Sequence, residues 1–445
     1  MNQAAAIIAL LLLLALAILA SIGVSIIQAP SCLKSDGHSI NVLPANVVWS
    51  KNYGGPNDDR AFYTITAGDG YLVVGSTKSI VPNTIVGWAL RIDSNGNKVW
   101  NKTFLEGLGT ELRFAINLTD GFLLVGNEFL ASGNINGYVA KIDFQGALVW
   151  KTVLDERETS KLFSAISTPE GFLLVGQSQN SGNQSNIWAV KIDQNGNKIW
   201  DKNYCDIGAA SARTAASSPD GDYVVAGYTN PDEQGDCHFI LLKIDVSGNL
   251  IWNQTYVEPG SQEAHSMTRA PDGFVIVGDS QSNGTDIHAL VMKVNFDGDL
   301  LWVKTVGGGK ADSPAYVTSA ENGGYLVAGF TFSWGAGNRD FWLFRIDDSG
   351  RVLWSCTQGD PGYQEAYNVM QTGPNQYVMT GWTDPPGQPD LIGKAQYDFY
   401  IVKLSYSQNN NGLTSFQLIG FAIIAIGLLA ATLLVFFNIR NLKQT

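Results

Sequence analysis

Six carboxylates stand where chemistry could be done: Asp58, Asp59, Glu111, Glu263, Asp312 and Glu365. Each lies just ahead of, or at the start of, a strand-like run, so each belongs to a loop leading into a strand. Acids converging from separate loops can share a cation or meet a cationic partner. Dispersed, the same acids are solvated surface charge. The four histidines, His38, His238, His265 and His288, show no metal-site spacing. Runs such as Asp93-Ser94-Asn95-Gly96-Asn97 and Asp193-Gln194-Asn195-Gly196-Asn197 carry oxygen ligands. They lack the downstream acid of a calcium loop and read as hairpin turns. No nucleophile is paired with a base. The sequence therefore names no catalytic residue, no metal site and no cofactor.

The elements that must position these acids announce themselves by repetition. Trp recurs at 49, 100, 150, 200, 252, 302 and 354, with spacings of 51, 50, 50, 52, 50 and 52. A Gly ends an apolar run at 75, 126, 176, 227, 278, 329 and 381. A basic-aliphatic-polar triplet recurs as well, from Arg91-Ile92-Asp93 to Lys403-Leu404-Ser405. Each unit reads as four short strands joined by Gly-containing turns, with no helical periodicity. The third strand is apolar on both faces (Trp188, Val190 and Ile192 against Ala189), so both faces must be covered. Radially stacked sheets do this. The fold expected is an all-β, seven-bladed β-propeller of four-stranded blades over 45–405. Val47–Tyr53 is expected to be the outer strand of the last blade, whose other strands lie in Ala366–Ser405, which closes the ring and removes an exposed edge. In that frame the acids rim one mouth of a central channel. The first strands are expected to offer it small residues: Ala61, Ala212, Ala215, Ala264 and Ala315.

The hairpin Lys191-Ile192-Asp193-Gln194-Asn195-Gly196-Asn197-Lys198-Ile199-Trp200 resembles the repeats of quinoprotein-like β-propellers. The resemblance covers about residues 45–405. It implies that the Trp near the end of each repeat docks against the neighbouring blade, here Trp49, Trp100, Trp150, Trp200, Trp252, Trp302 and Trp354. The usual Thr-Gly turn is replaced by others, such as Asn95-Gly96, and no vicinal Cys pair exists. The family also includes assembly scaffolds without enzymatic activity, so the resemblance speaks for the fold and not for catalysis.

The ends differ from the middle. Ala4–Ile27 is uncharged and long enough to span a bilayer, and residues 1–30 read as a signal peptide or an N-terminal anchor. After a linker at 406–415, residues 416–437 read as a transmembrane helix, and Arg440 and Lys443 mark the tail 438–445 as cytoplasmic. The chain's net charge is −12, yet the stretch between Lys34 and the C-terminal span holds all 40 acids and only 25 of the 28 basic residues. An acidic middle argues against nucleic acid and suits an extracellular domain. There, Cys205 and Cys237 are expected to form a disulfide, and Cys32 and Cys356 are candidates for a second. Asn101, Asn117, Asn183, Asn253 and Asn283 head glycosylation sequons. The function expected is a cell-surface, membrane-anchored binding or scaffold module that meets a protein or glycan through its outward face. The alternatives are an extracellular propeller enzyme and a structural component of an envelope layer or membrane complex.

Overall fold

A computed structural model describes residues 32–35, 38–44, 46–154, 159–179, 185–204, 209–229, 235–281, 287–384 and 396–406. Every regular element among them is a strand. The repeat is rich in β-branched and aromatic residues and is interrupted at fixed intervals by Gly turns, which is the chemistry of short antiparallel strands.

β1 (Cys32–Ser35) and β2 (His38–Pro44) form a hairpin, and β3 (Asn46–Tyr53) follows. β4 (Asp59–Ala67), β5 (Gly70–Thr77), β6 (Val86–Asp93) and β7 (Lys98–Phe104) then form a four-stranded antiparallel sheet. The pattern repeats in β8 (Gly109–Leu118), β9 (Gly121–Phe129), β10 (Ile135–Ile142) and β11 (Leu148–Leu154). Next come β12 (Thr159–Thr168), β13 (Gly171–Gln179), β14 (Ser185–Asp193) and β15 (Lys198–Tyr204). A single parallel pair, Ile135 with Thr159, ties these two sheets together. β16 (Ala210–Ser217), β17 (Tyr223–Thr229), β18 (Phe239–Ile244) and β19 (Leu250–Tyr256) form another sheet, as do β20 (Ser261–Ala270), β21 (Gly273–Gln281), β22 (His288–Asn295) and β23 (Leu300–Val306). β24 (Asp312–Ser319), β25 (Tyr325–Thr331), β26 (Asp340–Ile346) and β27 (Val352–Gln358) follow. The final sheet joins β28 (Gln364–Gly373), β29 (Gln376–Thr383) and β30 (Asp398–Ser405) to the early strand β3.

The second and third strands are the buried ones. Every residue of β5 and β18 is buried, because each sheet is covered by a neighbour on both sides. The seams carry the core: Trp342 and Phe344 join Val275, Val277, Val291 and Val306 across one of them. Backbone bonds lace the seams where first strands begin. Thr110 N donates to Ile85 O (2.9 Å), Gln262 N to Cys237 O (2.7 Å), Asp312 N to Ile287 O (2.7 Å) and Gln364 N to Arg339 O (2.8 Å). The seam between the last sheet and the first has the same bond, Asp59 N to Tyr397 O at 2.6 Å. It has the same kind of core too: Phe399 and Ile401 pack with Ala61, Tyr71, Val73, Trp88 and Leu90.

The repeat Trp residues dock between sheets. The indole N–H of Trp100 donates to Phe144 O (3.1 Å), that of Trp200 to Val246 O (3.1 Å) and that of Trp302 to Asp348 O (3.1 Å), each on the turn of the following sheet. Trp49 of β3 reaches the first sheet in the same way, donating to Ser94 O at 3.0 Å. The turns below are Asp-capped: Asp193 Oδ2 accepts from the Asn197 side-chain amide (2.9 Å) and its Oδ1 from Asn197 N (2.8 Å) and Asn195 N (2.8 Å), and these bonds hold its carboxyl below the usual range.

Two features of residues 32–45 differ from a plain linker. β2 adds in parallel to the outer edge of β27, with Leu43 opposite Cys356, and β1 lies beyond β2 with Cys32 opposite Asn41. β2 therefore separates the strands of Cys32 and Cys356 by two strand spacings, roughly 9–10 Å. A disulfide spans less than about 7 Å between Cα atoms, so the expected Cys32–Cys356 bridge is corrected. Cys356 is a buried free thiol, pushed up to about 12 by burial. Cys237 is buried, and Cys205 lies outside the described residues. The two apolar ends also lie outside them. Among the described residues, no helix is long and apolar enough to cross a membrane.

Candidate functional site

A cup opens among the first strands, and each of them contributes to its wall through a β-bulge. The antiparallel register between first and second strands slips in every sheet, at Phe62, Arg113, Phe163, Arg213, His265, Ala315 and Tyr367, and in the last sheet a second time at Thr372. An extra residue at a bulge is freed from the ladder and re-aimed. All of these residues but Thr372 line one cavity of about 380 Å³.

The repeat Gly is what admits the bulge. A Cβ on Gly126 would lie 1.9 Å from Glu111 O, one on Gly176 1.8 Å from Lys161 O, and one on Gly227 1.9 Å from Ser211 O. The carbonyl in each case belongs to the residue two before the bulged one. A side chain on the Gly would push the first strand away and undo the local geometry.

The floor of the cup is aromatic. Tyr63 and Tyr316, from the first and sixth of the sheets in chain order, meet at 2.9 Å between hydroxyls, and Tyr63 lies against Phe114 with centroids 4.1 Å apart. Burial raises both tyrosines, so they remain hydroxyls and can donate to each other. Beyond this floor lies a second cavity of about 500 Å³, lined by Thr66, Asn117, Thr318 and Gln371 among others.

The wall is basic and aromatic. Arg113 stacks over Phe62 (4.2 Å) and Arg213 over Phe163 (4.3 Å), which fixes each guanidinium plane. Arg213 also donates to the Tyr228 hydroxyl at 2.7 Å. His265 sits with Nδ1 2.7 Å from Pro314 O, so that nitrogen carries the proton, and its Nε2 faces Asp279 Oδ2 at 3.5 Å. Burial raises the Asp279 carboxyl, and His265 and a hydrogen bond with Ser313 oppose the shift. Among the described residues no group of three His, Cys, Asp or Glu side chains is arranged to hold a metal ion.

The six acids divide into two kinds. Asp59 and Asp312 are fully buried and hold loops. Asp59 accepts from Gly55 N (2.7 Å) and Ser79 Oγ (2.8 Å), and Asp312 from Gly308 N (2.6 Å) and Ser333 Oγ (2.7 Å). Thr110 fills the same place, its Oγ1 accepting from Glu106 N at 2.9 Å, so this position holds the loop in that sheet too. The others stand at the rim, most of them neutralised. Asp58 pairs with Lys78 (3.1 Å) and Arg60 (3.4 Å), Glu111 with Arg113 (2.6 Å), and Glu365 with Arg339. Glu263 is half-buried opposite Asp279 in the register. The small residues expected in the channel lie elsewhere: Ala61, Ala212, Ala215 and Ala264 are in the seams, and only Ala315 lines the cup.

Arg113 and Arg213 escaped the sequence reading, and His265 entered it only as a histidine without metal-site spacing, although all three stand 13 or 14 residues before the repeat Gly. Of the sequons, Asn101 and Asn253 are exposed on outer strands, and Asn117 is exposed but donates to Thr66 O at 2.8 Å. Asn183 and Asn283 lie outside the described residues.

Comparison with known proteins agrees with the repeat. Residues 87–281 match the family model of PQQ-like repeats described as outer membrane protein assembly factor BamB. No curated protein matches the chain. Among solved structures, Sqt1 from Chaetomium thermophilum is 12% identical, covering 82% of this chain and 100% of that one, with a TM-score of 0.46. The β-propeller domain of the Trilobed protease from Pyrococcus furiosus is 10% identical over 80% of this chain and 98% of that one, with a TM-score of 0.46. The periplasmic gluconolactonase of Pseudomonas aeruginosa is 13% identical over 68% and 87%, with a TM-score of 0.46. The matched repeat is carried here on four-stranded antiparallel sheets packed face to face, so over residues 87–281 this chain is similar to the quinoprotein-like β-propeller family.

Proposed function

We propose that the chain is a membrane-tethered binding or scaffold module. Its propeller is a closed ring of seven blades, and it meets a surface protein or glycan at the mouth of the cup. The observation that carries this reading is the bulge in each first strand. A slip in every sheet sends side chains of different chemistry to a common concavity with a closed floor, which is how a recognition site is built on a repeated frame. Tethering is supported by the two uncharged apolar segments, Ala4–Ile27 and residues 416–437, each long enough to span a bilayer. The His265–Asp279 pair is the observation that favours the second reading, an extracellular enzyme using a proton relay.

Photo-cross-linking on the intact chain in its membrane separates the readings. A photoreactive residue at Phe163 or Glu263 is expected to give a discrete adduct that one at Asn95, on the opposite turns, does not. Equal labelling from both faces, or none from the cup, would contradict the mouth as the binding surface. A quinone band in the absorption spectrum of the purified protein would favour the enzyme.

A further inference from the structure

Charge in the cup is layered. Two residues ahead of each bulge stand Arg60, Glu111, Lys161, Ser211, Glu263, Ser313 and Glu365, a mixed rim. The bulged level below has Arg113, Arg213 and His265 and no acid at all. Of the two acids that line the cavity, Glu365 is paired with Arg339 and Asp279 faces His265, so the side of the cup around Arg113 and Arg213 is the cationic one.

Arg213 differs from the other arginines of the mouth. Arg60, Arg113 and Arg339 each have a carboxylate partner. Among the described residues none lies within ion-pairing distance of Arg213. Its contacts are the Tyr228 hydroxyl at one Nη2 hydrogen and the faces of Phe163 and Tyr228. Its Nε is buried without a hydrogen-bond partner among the described residues. A guanidinium offers five donors, so most of this one is unused. Arg213 as a whole is part-buried, and leaving its buried Nε donor unmatched is costly. The stacked ring holds the plane rigid, which is what bidentate recognition of an oxyanion requires.

We infer that the cup binds a small molecule bearing a carboxylate or phosphate, with Arg213 as the principal donor and Arg113 and Lys161 beside it. This rests on the mouth reading above and adds the chemistry of the ligand. Lys161, two residues ahead of the Phe163 bulge, adds to the positive charge on this side. Its ammonium is held below the usual lysine range by burial and then by repulsion from Arg113 and Arg213, with only Glu111 opposing. Three cations crowded together are relieved by an anion placed among them. The closed Tyr63–Tyr316 floor and the 380 Å³ volume fit a small ligand, not a threaded chain.

Calorimetric titration of the purified full-length protein with succinate, and separately with inorganic phosphate, tests this. The wild type is expected to bind at least one of the two at one site per chain, and the arm that binds identifies the oxyanion. Arg213→Gln should weaken binding about tenfold or more, the scale of a charge-assisted bond. Arg213→Lys, which keeps charge but loses the planar fork, should fall between them. Lys98→Gln, an equal charge change on the exposed outer strand β7, should bind as wild type. Unchanged thermal midpoints for the Arg213 variants would show that folding is intact. No binding of either anion by the wild type, or equal affinity in Arg213→Gln, would overturn the inference. If cross-linking from the cup persisted in that case, the mouth would remain the binding surface and only its anion chemistry would fall. An acidic peptide bound in the cup while both small anions failed would likewise overturn the small-molecule assignment.

Discussion

Gly227→Ala is expected to destabilise the protein by roughly 3 kcal/mol, read as a lower urea midpoint. It should also abolish anion binding in whatever fraction remains folded. The added methyl would lie 1.9 Å from Ser211 O and 2.8 Å from Ala212 Cα. Both are backbone atoms, so no rotamer change can make room. The first strand must retreat, and with it the bulge that aims Arg213. Gly221→Ala provides the contrast. Gly221 has φ +94°, but nothing lies within 4 Å of the place an added methyl would take, so only backbone strain opposes the change. Its cost should be nearer 1 kcal/mol, with binding retained. Equal effects of the two substitutions would separate the repeat Gly from the bulge.

Phe399→Ala is expected to cost roughly 3–4 kcal/mol, the range for emptying a large buried aromatic site. Phe399 is completely buried, and its ring centroid lies 4.4 Å from that of Trp88. Trp88 belongs to the first sheet and Phe399 to the last, so the penalty measures the seam that closes the ring. If that seam were open, Phe399 would sit on an exposed sheet face and its loss would cost under about 1 kcal/mol. Urea denaturation of the variant against wild type distinguishes the two values.

Much of the frame was legible because it is periodic. The Trp, Gly and basic-aliphatic triplets mark the same places in successive sheets, and β3 completes the last sheet because its Trp strand had no unit of its own. The wall of the cup was not legible, for a specific reason. A period-two reading of the first strand sends Ala61, Ala212 and Ala264 to the channel. The bulge slips the alternation by one, burying those alanines in the seams and presenting Phe62, Arg213 and His265 instead. The repeat Gly was visible as a landmark, but the carbonyl it accommodates belongs to another strand. The acids were found without their partners. Asp59 and Asp312 look like rim carboxylates in the sequence, yet each caps its own loop, because the N–H it accepts lies only four residues back. The β1–β2 hairpin had no periodic signal, and its pairing depends on a distant edge, that of β27.

Closure of the ring by β3 underlies the cup and its floor, and one cross-link tests it directly. Asn52 of β3 and Tyr400 of β30 are Cα partners in the antiparallel register. With Asn52→Cys and Tyr400→Cys combined, mild oxidation should join the two tryptic peptides that carry these positions within one molecule, at a yield independent of protein concentration. Recovery of the two peptides unlinked, or linked only in concentration-dependent dimers, would contradict a ring closed by its own first strand.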